Sequence, residues 1–266
     1  MMEVITSLQN PQVKLWRGLN KSRAARQEAG LFLAEGEHMA GEALKEQKAR
    51  ALLIDDSARE KYRALAENPK GASVSFSVFY LASHVMAALC DAKTPQGVIA
   101  VCDYPDEAAA LPKDAPLLVA LDGVQDPGNV GTILRTMDAA GYSSLLIDSK
   151  TADPYSPKAM RASMGAVFRI PVQRCGDLAG QLKALANQGY DIVAGDLHGE
   201  PFYQRRTARD KLCVVIGNEG QGITPAVFAE STLRLKLPMV GGAESLNAAV
   251  AGAIMMYDFL RERMGH

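Results

Sequence analysis

The residues best suited to chemistry fall in three short segments of the C-terminal half. The first, residues 121–136 (LDGVQDPGNVGTILRT), reads as a strand, a Gly/Pro turn and the start of a helix. Within that helix Val130, Ile133, Leu134 and Met137 form an apolar stripe at i, i+3, i+4, i+7. Arg135 lies about 150° from the centre of the stripe at ~100° per residue, so it faces water or a cleft. It is either a solvated helix arginine or a residue that faces a cleft. The second segment, 214–225 (VVIGNEGQGITP), places three glycines after a buried-strand run, where backbone can approach a ligand closely. Glu219 in that turn is either a helper for the next helix or a ligand contact. In the third, 237–247 (LPMVGGAESLN), Ser245 reads as the cap of the last helix. Asn247 then falls in its first turn, where backbone donors and an amide can hold a polar ligand. The Ala/Gly run that follows allows close helix packing, in a homodimer seam or an intrachain crossing.

The elements that must position these segments alternate in type. From 117 onward the pattern is strand 117–121, helix 129–140 ending at Gly141, strand 144–147, helix 157–163 and strand 168–172. Helix 178–188, strands 191–194 and 212–216, a helix opened by Thr224-Pro225, strand 233–237 and a long helix 246–264 complete it. Such alternation with short loops implies an α/β fold with a mainly parallel sheet covered on both faces. The N-terminal part shows strands 31–34, 51–54, 73–79 and 97–102 with helical stretches at 37–46 and 57–66, a second α/β layer arrangement. Residues 105–116, rich in proline and acid, read as a linker between a domain over 1–104 and another over 117–266.

Composition narrows the functional classes. The 266 residues are 48% hydrophobic with a net charge of −1, so the chain is no polycation and a nucleic-acid partner would need a local basic patch. Two patches are present: Lys14, Arg17, Lys21, Arg23 and Arg26 with no acid among them, and Arg205, Arg206, Arg209 with Lys211. The first is a solvated helix face or an RNA-backbone contact. Four scattered cysteines form no zinc-ligand spacing, so reduced thiols and no metal are expected. The N-terminus lacks a signal pattern, and the longest apolar stretch, 248–257, falls short of the roughly 18 residues that span a bilayer; a cytoplasmic protein is expected. No GxGxxG fingerprint supports a nicotinamide enzyme.

Taken together and in this order, the three segments resemble the motifs of the SpoU/TrmH family of RNA ribose 2′-O-methyltransferases, within the SPOUT class. The match lies in an asparagine-containing first motif ending in LRT, a GxExxG second motif and an ESLN third motif. RASMG at 161–165 is also similar to the family, while Ala248-Ala249 departs from its usual Val-Ser. The segments SLQNPQVK, LFLAEGE and KTPQGVIAV resemble the small, ribosomal-protein L30e-like substrate-binding domain often fused to these enzymes. The resemblance implies a catalytic domain with a deep trefoil knot, S-adenosylmethionine as cofactor, and a homodimer joined through the last helix. It implies catalytic roles for Asn129, Arg135, Glu219, Ser245 and Asn247, and cofactor contacts at Gly195, Gly217, Gly222, Leu237, Met239 and Leu246. RNA contacts are expected at Lys14, Arg17, Lys21, Arg23, Arg26, Arg161, Arg205 and Arg206. The implied substrate is a ribose 2′-hydroxyl of ribosomal RNA, with transfer RNA, or a non-catalytic RNA-binding role, as alternatives.

Overall fold

The computed structural model describes residues 3–67, 76–108, 112 and 115–265. The chain divides into two compact units, Met1–Pro105 with Asp153–Arg169, and Asp106–Ala152 with Ile170–His266. The segment 153–169, which the sequence pattern places in the C-terminal domain, therefore packs with the first unit.

In the first unit the elements run β1 (Val4–Ile5), α1 (Pro11–Leu19), α2 (Arg23–Ala29), β2 (Leu31–Glu35), α3 (Glu37–Lys45), β3 (Ala49–Asp55), α4 (Arg63–Glu67), β4 (Ser77–Leu81), α5 (Ser83–Leu89) and β5 (Val98–Asp103). The sheet order is β1-β4-β3-β5-β2, parallel through β1, β4 and β3 and antiparallel at β5 with both neighbours. One face is sealed by α1 and α5, whose Val13, Trp16, Leu19, Val85, Met86 and Leu89 pack with Leu33, Leu53, Ile99 and Val101. Trp16 meets Phe79 edge-on at 5.3 Å. Burying each of these large side chains contributes about 1.5–3 kcal/mol. The helix expected over 57–66 is replaced by a 3-10 turn, Asp56–Ala58, and the short α4. Asp55 caps this turn: its carboxylate accepts from Ser57 N–H at 2.9 Å and from the hydroxyls of Ser57 and Ser83. Residues 73–75 of the expected strand over 73–79 lie outside the described residues, as does part of the linker.

The second unit contains β6 (Leu117–Asp122), α6 (Pro127–Ala140) and β7 (Ser144–Ile147). After α7 (Pro157–Ser163) of the first unit come β8 (Val172–Arg174), α8 (Leu178–Asn187), β9 (Asp191–Pro201), β10 (Leu212–Gly217), α9 (Pro225–Ala229), β11 (Leu233–Lys236) and α10 (Ala248–Arg263). All five pairings in the order β11-β9-β10-β6-β7-β8 are parallel, as the strand–helix alternation predicts. Alternate strand residues Leu118, Ala120, Cys213, Val215 and Ile192 pack under α8 with Leu178, Leu182 and Leu185. Their neighbours Val119, Leu121, Val214 and Val193 are equally buried, on the face where α10 packs against α6 and β10. The strand expected at 168–172 starts only at Val172, because Ala166–Phe168 form a 3-10 turn and Phe168 stacks on Phe32 at 6.0 Å within the first unit. No helix among the described residues is long and apolar enough to cross a membrane.

Candidate functional site

The site lies where β9, β10 and β6 end side by side, the edge at which open parallel sheets bind ligands. Beyond β6, Gly123 adopts φ +73°, and Asp126 caps α6 by accepting from Gly128 N–H at 2.8 Å with Pro127 in the first turn. Beyond β10 the chain folds into a tight loop in which Asn218 and Gly222 exchange backbone hydrogen bonds, both 2.9 Å. Asn218 organises it: its Oδ1 accepts from Gly220 and Gln221 N–H, each at 2.9 Å, and its Nδ2 donates to Gly123 O at 2.7 Å. Gly217 is required by this loop itself, since a Cβ there would overlap the Gly222–Ile223 peptide. Gly222 supplies the positive φ of +70° that closes it.

Glu219 neither helps the next helix nor simply faces solvent. Its carboxylate accepts from Asn129 Nδ2 at 2.8 Å and Gln125 N–H at 3.3 Å, clasping the start of α6. Partial burial raises its pKa, but the bonds from Asn129 and from backbone donors at Gln125 and Asp126 outweigh this and hold it below the usual carboxylate range. The partner of the next helix is instead Asp122, 4% exposed, which accepts from Thr224 N–H at 2.6 Å. Asn247, expected in the first turn of α10, is its N-cap, with Oδ1 accepting from Ala249 and Val250 N–H at 2.9 and 3.2 Å. Ser245, expected as that cap, is exposed two residues earlier on the cleft rim. The remaining Asn247 Nδ2 donates to Asn129 Oδ1 at 3.0 Å. Asn247, Asn129 and Glu219 thus form one hydrogen-bonded chain tying all three segments together.

Beside this chain opens a cleft of about 480 Å³, within the size range of small-molecule sites. Its lining includes all six positions expected to meet a cofactor: Gly195, Gly217, Gly222, Leu237, Met239 and Leu246. Glu219 and Ser245 line it too, and Leu235, Ala251 and Met255 add apolar surface. A Cβ built on Gly195 meets nothing within 4 Å, so any side chain there would reach into open space. Among the described residues Asp196, Glu219 and Glu244 line the cleft and no lysine or arginine does, which favours a cationic ligand. Asp122, Asn218, Asp196 and Glu244 were not singled out in the sequence; an Asp closing one buried strand and an Asn just past another are the signal that marks the first two.

Arg135 is exposed, on the side of α6 away from the fully buried Val130, Ile133, Leu134 and Met137, as the helical spacing predicts. It is not part of the cleft lining. The expected RNA cations separate by environment. In the first unit Lys14 and Arg17 are exposed on the side of α1 opposite Val13, Trp16 and Leu19, Lys21 is exposed in the turn that follows it, and Arg23 is half-buried. Arg26 differs from the expectation: it is 3% exposed, pairs with Asp153 at 2.5 Å and donates to Leu19 O. Arg161 pairs with Asp91 at 2.7 Å and keeps its side chain 43% exposed. In the second unit Arg205 also departs from expectation, lying between the rings of Phe202 and Phe259 and pairing with Asp258 and Glu262 at 2.8 and 3.0 Å. Its side chain is 5% exposed, which leaves no face for a phosphate. Arg206 forms a two-pronged bond to the buried Asp191 at 2.9 and 2.7 Å while remaining partly exposed.

A family model described as the SpoU rRNA methylase family matches residues 116–257, and one described as an MRM3-like substrate-binding domain matches residues 10–100. The chain is 34% identical to the 23S rRNA (guanosine(2553)-2′-O)-methyltransferase RlmP of Bacillus subtilis over 257 residues, 96% of this chain and 98% of that protein. Among solved structures it resembles the S-adenosylmethionine-bound rRNA methyltransferase of Sinorhizobium meliloti, with TM-score 0.83, 30% identity and 98% of each chain covered. It also resembles the SpoU methyltransferase AviRb of Streptomyces viridochromogenes in complex with the same cofactor, with TM-score 0.82, 28% identity and 96% and 99% coverage. The cleft suits that cofactor: with a sulfonium and an ammonium against one carboxylate it is net cationic, and the lining offers three acids, backbone groups and apolar contacts. With its three motifs joined in one hydrogen-bonded site beside such a cleft, the chain belongs to the SpoU rRNA methylase family of S-adenosylmethionine-dependent RNA methyltransferases.

Proposed function

We propose that this enzyme methylates a ribose 2′-hydroxyl of large-subunit ribosomal RNA. The observation that carries the reading is the acid-lined cleft bordered by the Asn247–Asn129–Glu219 chain. S-adenosylmethionine supplies a methyl group already activated on a sulfonium, so the protein has mainly to align the ribose oxygen and ease the loss of its proton. In this reading Gly195, Gly217, Gly222, Leu237, Met239 and Leu246 hold the cofactor. Asn129 and Asn247 fix the direction of the Glu219 carboxylate, and Ser245 on the rim meets the ribose. Arg135, permanently charged, binds an RNA phosphate and stabilises the oxyanion developing on the 2′-oxygen. Arginine is too weak an acid to serve readily as the base, so the proton passes to phosphate or water.

Lys14, Arg17, Lys21, Arg23 and Arg161 of the first unit are proposed to grip the RNA backbone. Arg206 contributes through its exposed face, whereas Arg26 and Arg205 are structural. The polypeptide works in the cytoplasm as a homodimer, a reading supported by α10, where the apolar Val250 and Tyr257 are each 48% exposed. A trefoil knot is proposed from family membership and from the path of the chain, which leaves β10 for the far edge at β11 and returns to lay α10 against β10. The test is transfer of labelled methyl from S-adenosylmethionine to purified large-subunit rRNA, small-subunit rRNA and tRNA in parallel. Preferential labelling of large-subunit rRNA is expected; preferential labelling of tRNA would replace the substrate assignment.

A further inference from the structure

Gly123, in the turn between β6 and α6, is gripped through both polar groups of its backbone. Its N–H donates to Asp148 Oδ1 at 3.0 Å, and its carbonyl accepts from Asn218 Nδ2 at 2.7 Å. Asp148, just past β7, is fixed in turn, since the same oxygen accepts from the N–H and the hydroxyl of Thr151 at 2.8 and 2.6 Å. Asn218 divides its amide between two tasks. The oxygen shapes the loop that lines the cofactor cleft, and the nitrogen reaches across to the turn that launches α6. Backbone partners at both ends of the amide join loop and turn in one orientation.

What α6 carries gives this link its consequence. The apolar face of the helix is buried, but apolar packing is non-directional and fixes position along the helix axis only weakly. Directional bonds at the entry to the helix set that remaining freedom. Asn129, in the first turn, is held directly by Glu219 and Asn247. Arg135, further along, has no hydrogen bond or ion pair with the other described residues, so its place follows that of the helix.

We propose that Asn218 is a positioning residue for methyl transfer: through Gly123 it ties α6, and with it Arg135, to the loop that lines the cofactor cleft. Asp148 holds the same glycine from the opposite side. Alignment is the protein's main contribution to this reaction, so a small displacement of Arg135 costs rate and not cofactor affinity. This role for Asn218 rests on the one proposed for Arg135.

Asn218→Asp separates the two tasks of the amide. Its carboxylate still accepts from Gly220 and Gln221 N–H, but it sets an oxygen against Gly123 O where a donor stood. S-adenosylmethionine affinity, measured by calorimetry, should stay within about twofold of wild type, while kcat on rRNA falls about tenfold or more. Asn218→Ala, which loses both tasks, should lower kcat similarly and also weaken cofactor binding about fivefold, the scale of a lost hydrogen bond. In an Arg135→Ala background Asn218→Asp should cost less than about twofold further, because both changes remove the same contribution. Undiminished kcat in Asn218→Asp would overturn the inference. So would a cofactor affinity that falls as far as kcat, or a full penalty in the Arg135→Ala background. Should Asn218→Asp not fold, Asp148→Ala and Asp148→Asn decide. The alanine releases Gly123 N–H and should lower kcat with cofactor binding intact, whereas the asparagine keeps an accepting oxygen and should stay near wild type. Equal kcat in those two variants would overturn the inference. Full turnover by Arg135→Ala alone would defeat the parent role of Arg135, and this inference with it.

Discussion

Asn129 has one amide and two neighbours that leave it a single orientation. Asn247 spends its oxygen on two N–H groups of α10, so its nitrogen faces Asn129, whose own nitrogen must then face Glu219. The sequence displays all three residues but not this order, and it points to Ser245 rather than Asn247 as the cap because both types serve that role equally well. The bonds that lower the pKa of Glu219 also predict a pH dependence. Its contribution to stability is present above the unfolded value near 4.5 and is lost as pH falls through the lower folded value. Asp191, lowered by Arg206 and Arg209 against the opposing effect of burial, titrates in the same sense. Thermal melts should therefore fall steeply below about pH 4.5, and Asn129→Ala should show a shallower fall over that range. Arg135→Ala should reduce turnover by about 100-fold or more while leaving S-adenosylmethionine affinity intact. Arg135→Lys should also be impaired, because lysine keeps the charge but lacks the planar fork. Near-normal turnover by the lysine variant would show that charge alone suffices. Burial was the property of the arginines that sequence concealed: Arg26 and Arg205 count as cations on paper but are consumed by Asp153, Asp258 and Glu262.

At the scale of elements, legibility followed hydrophobic pattern. The apolar runs of β6, β7 and β10 and the stripe of α6 were readable because burial on both sheet faces leaves nearly continuous hydrophobic strands. The run 57–66 misled because its residues have adequate helix propensity, yet after the turn that Asp55 caps the chain returns to helix only at α4. Strand 168–172 misled because Phe168 is spent on an aromatic cluster with Phe32 in the first unit, a long-range pairing no local pattern reveals. The cleft depends on elements whose small residues keep space open. Gly195, at the point where β9 passes the cleft, has open space where a side chain would stand. Gly195→Leu should therefore leave melting temperature nearly unchanged while weakening S-adenosylmethionine binding by about tenfold or more, measured by calorimetry. A loss of stability with unaltered cofactor affinity would place Gly195 in the packing and not in the cleft.

At the scale of the whole molecule, the proposed function assigns RNA recognition to the first unit and methyl transfer to the second. A net charge of −1 concealed this, since exposed cations on one face of α1 are offset elsewhere in the chain. Neutralising Lys14, Arg17 and Lys21 together should weaken RNA binding and flatten the slope of log affinity against log salt by about 2 to 3, with cofactor binding unaffected. An unchanged slope would remove α1 from the RNA interface. The central claim, methylation of a ribose 2′-oxygen, is tested most directly by chemistry at the product. Ribosomal RNA labelled from methyl-labelled S-adenosylmethionine is hydrolysed in alkali, which cleaves next to every free 2′-hydroxyl and spares a methylated one. The label is predicted to survive in an alkali-resistant dinucleotide, and to be absent when Arg135→Ala replaces the wild type. Label released in a mononucleotide, as a methylated base would give, would contradict the account.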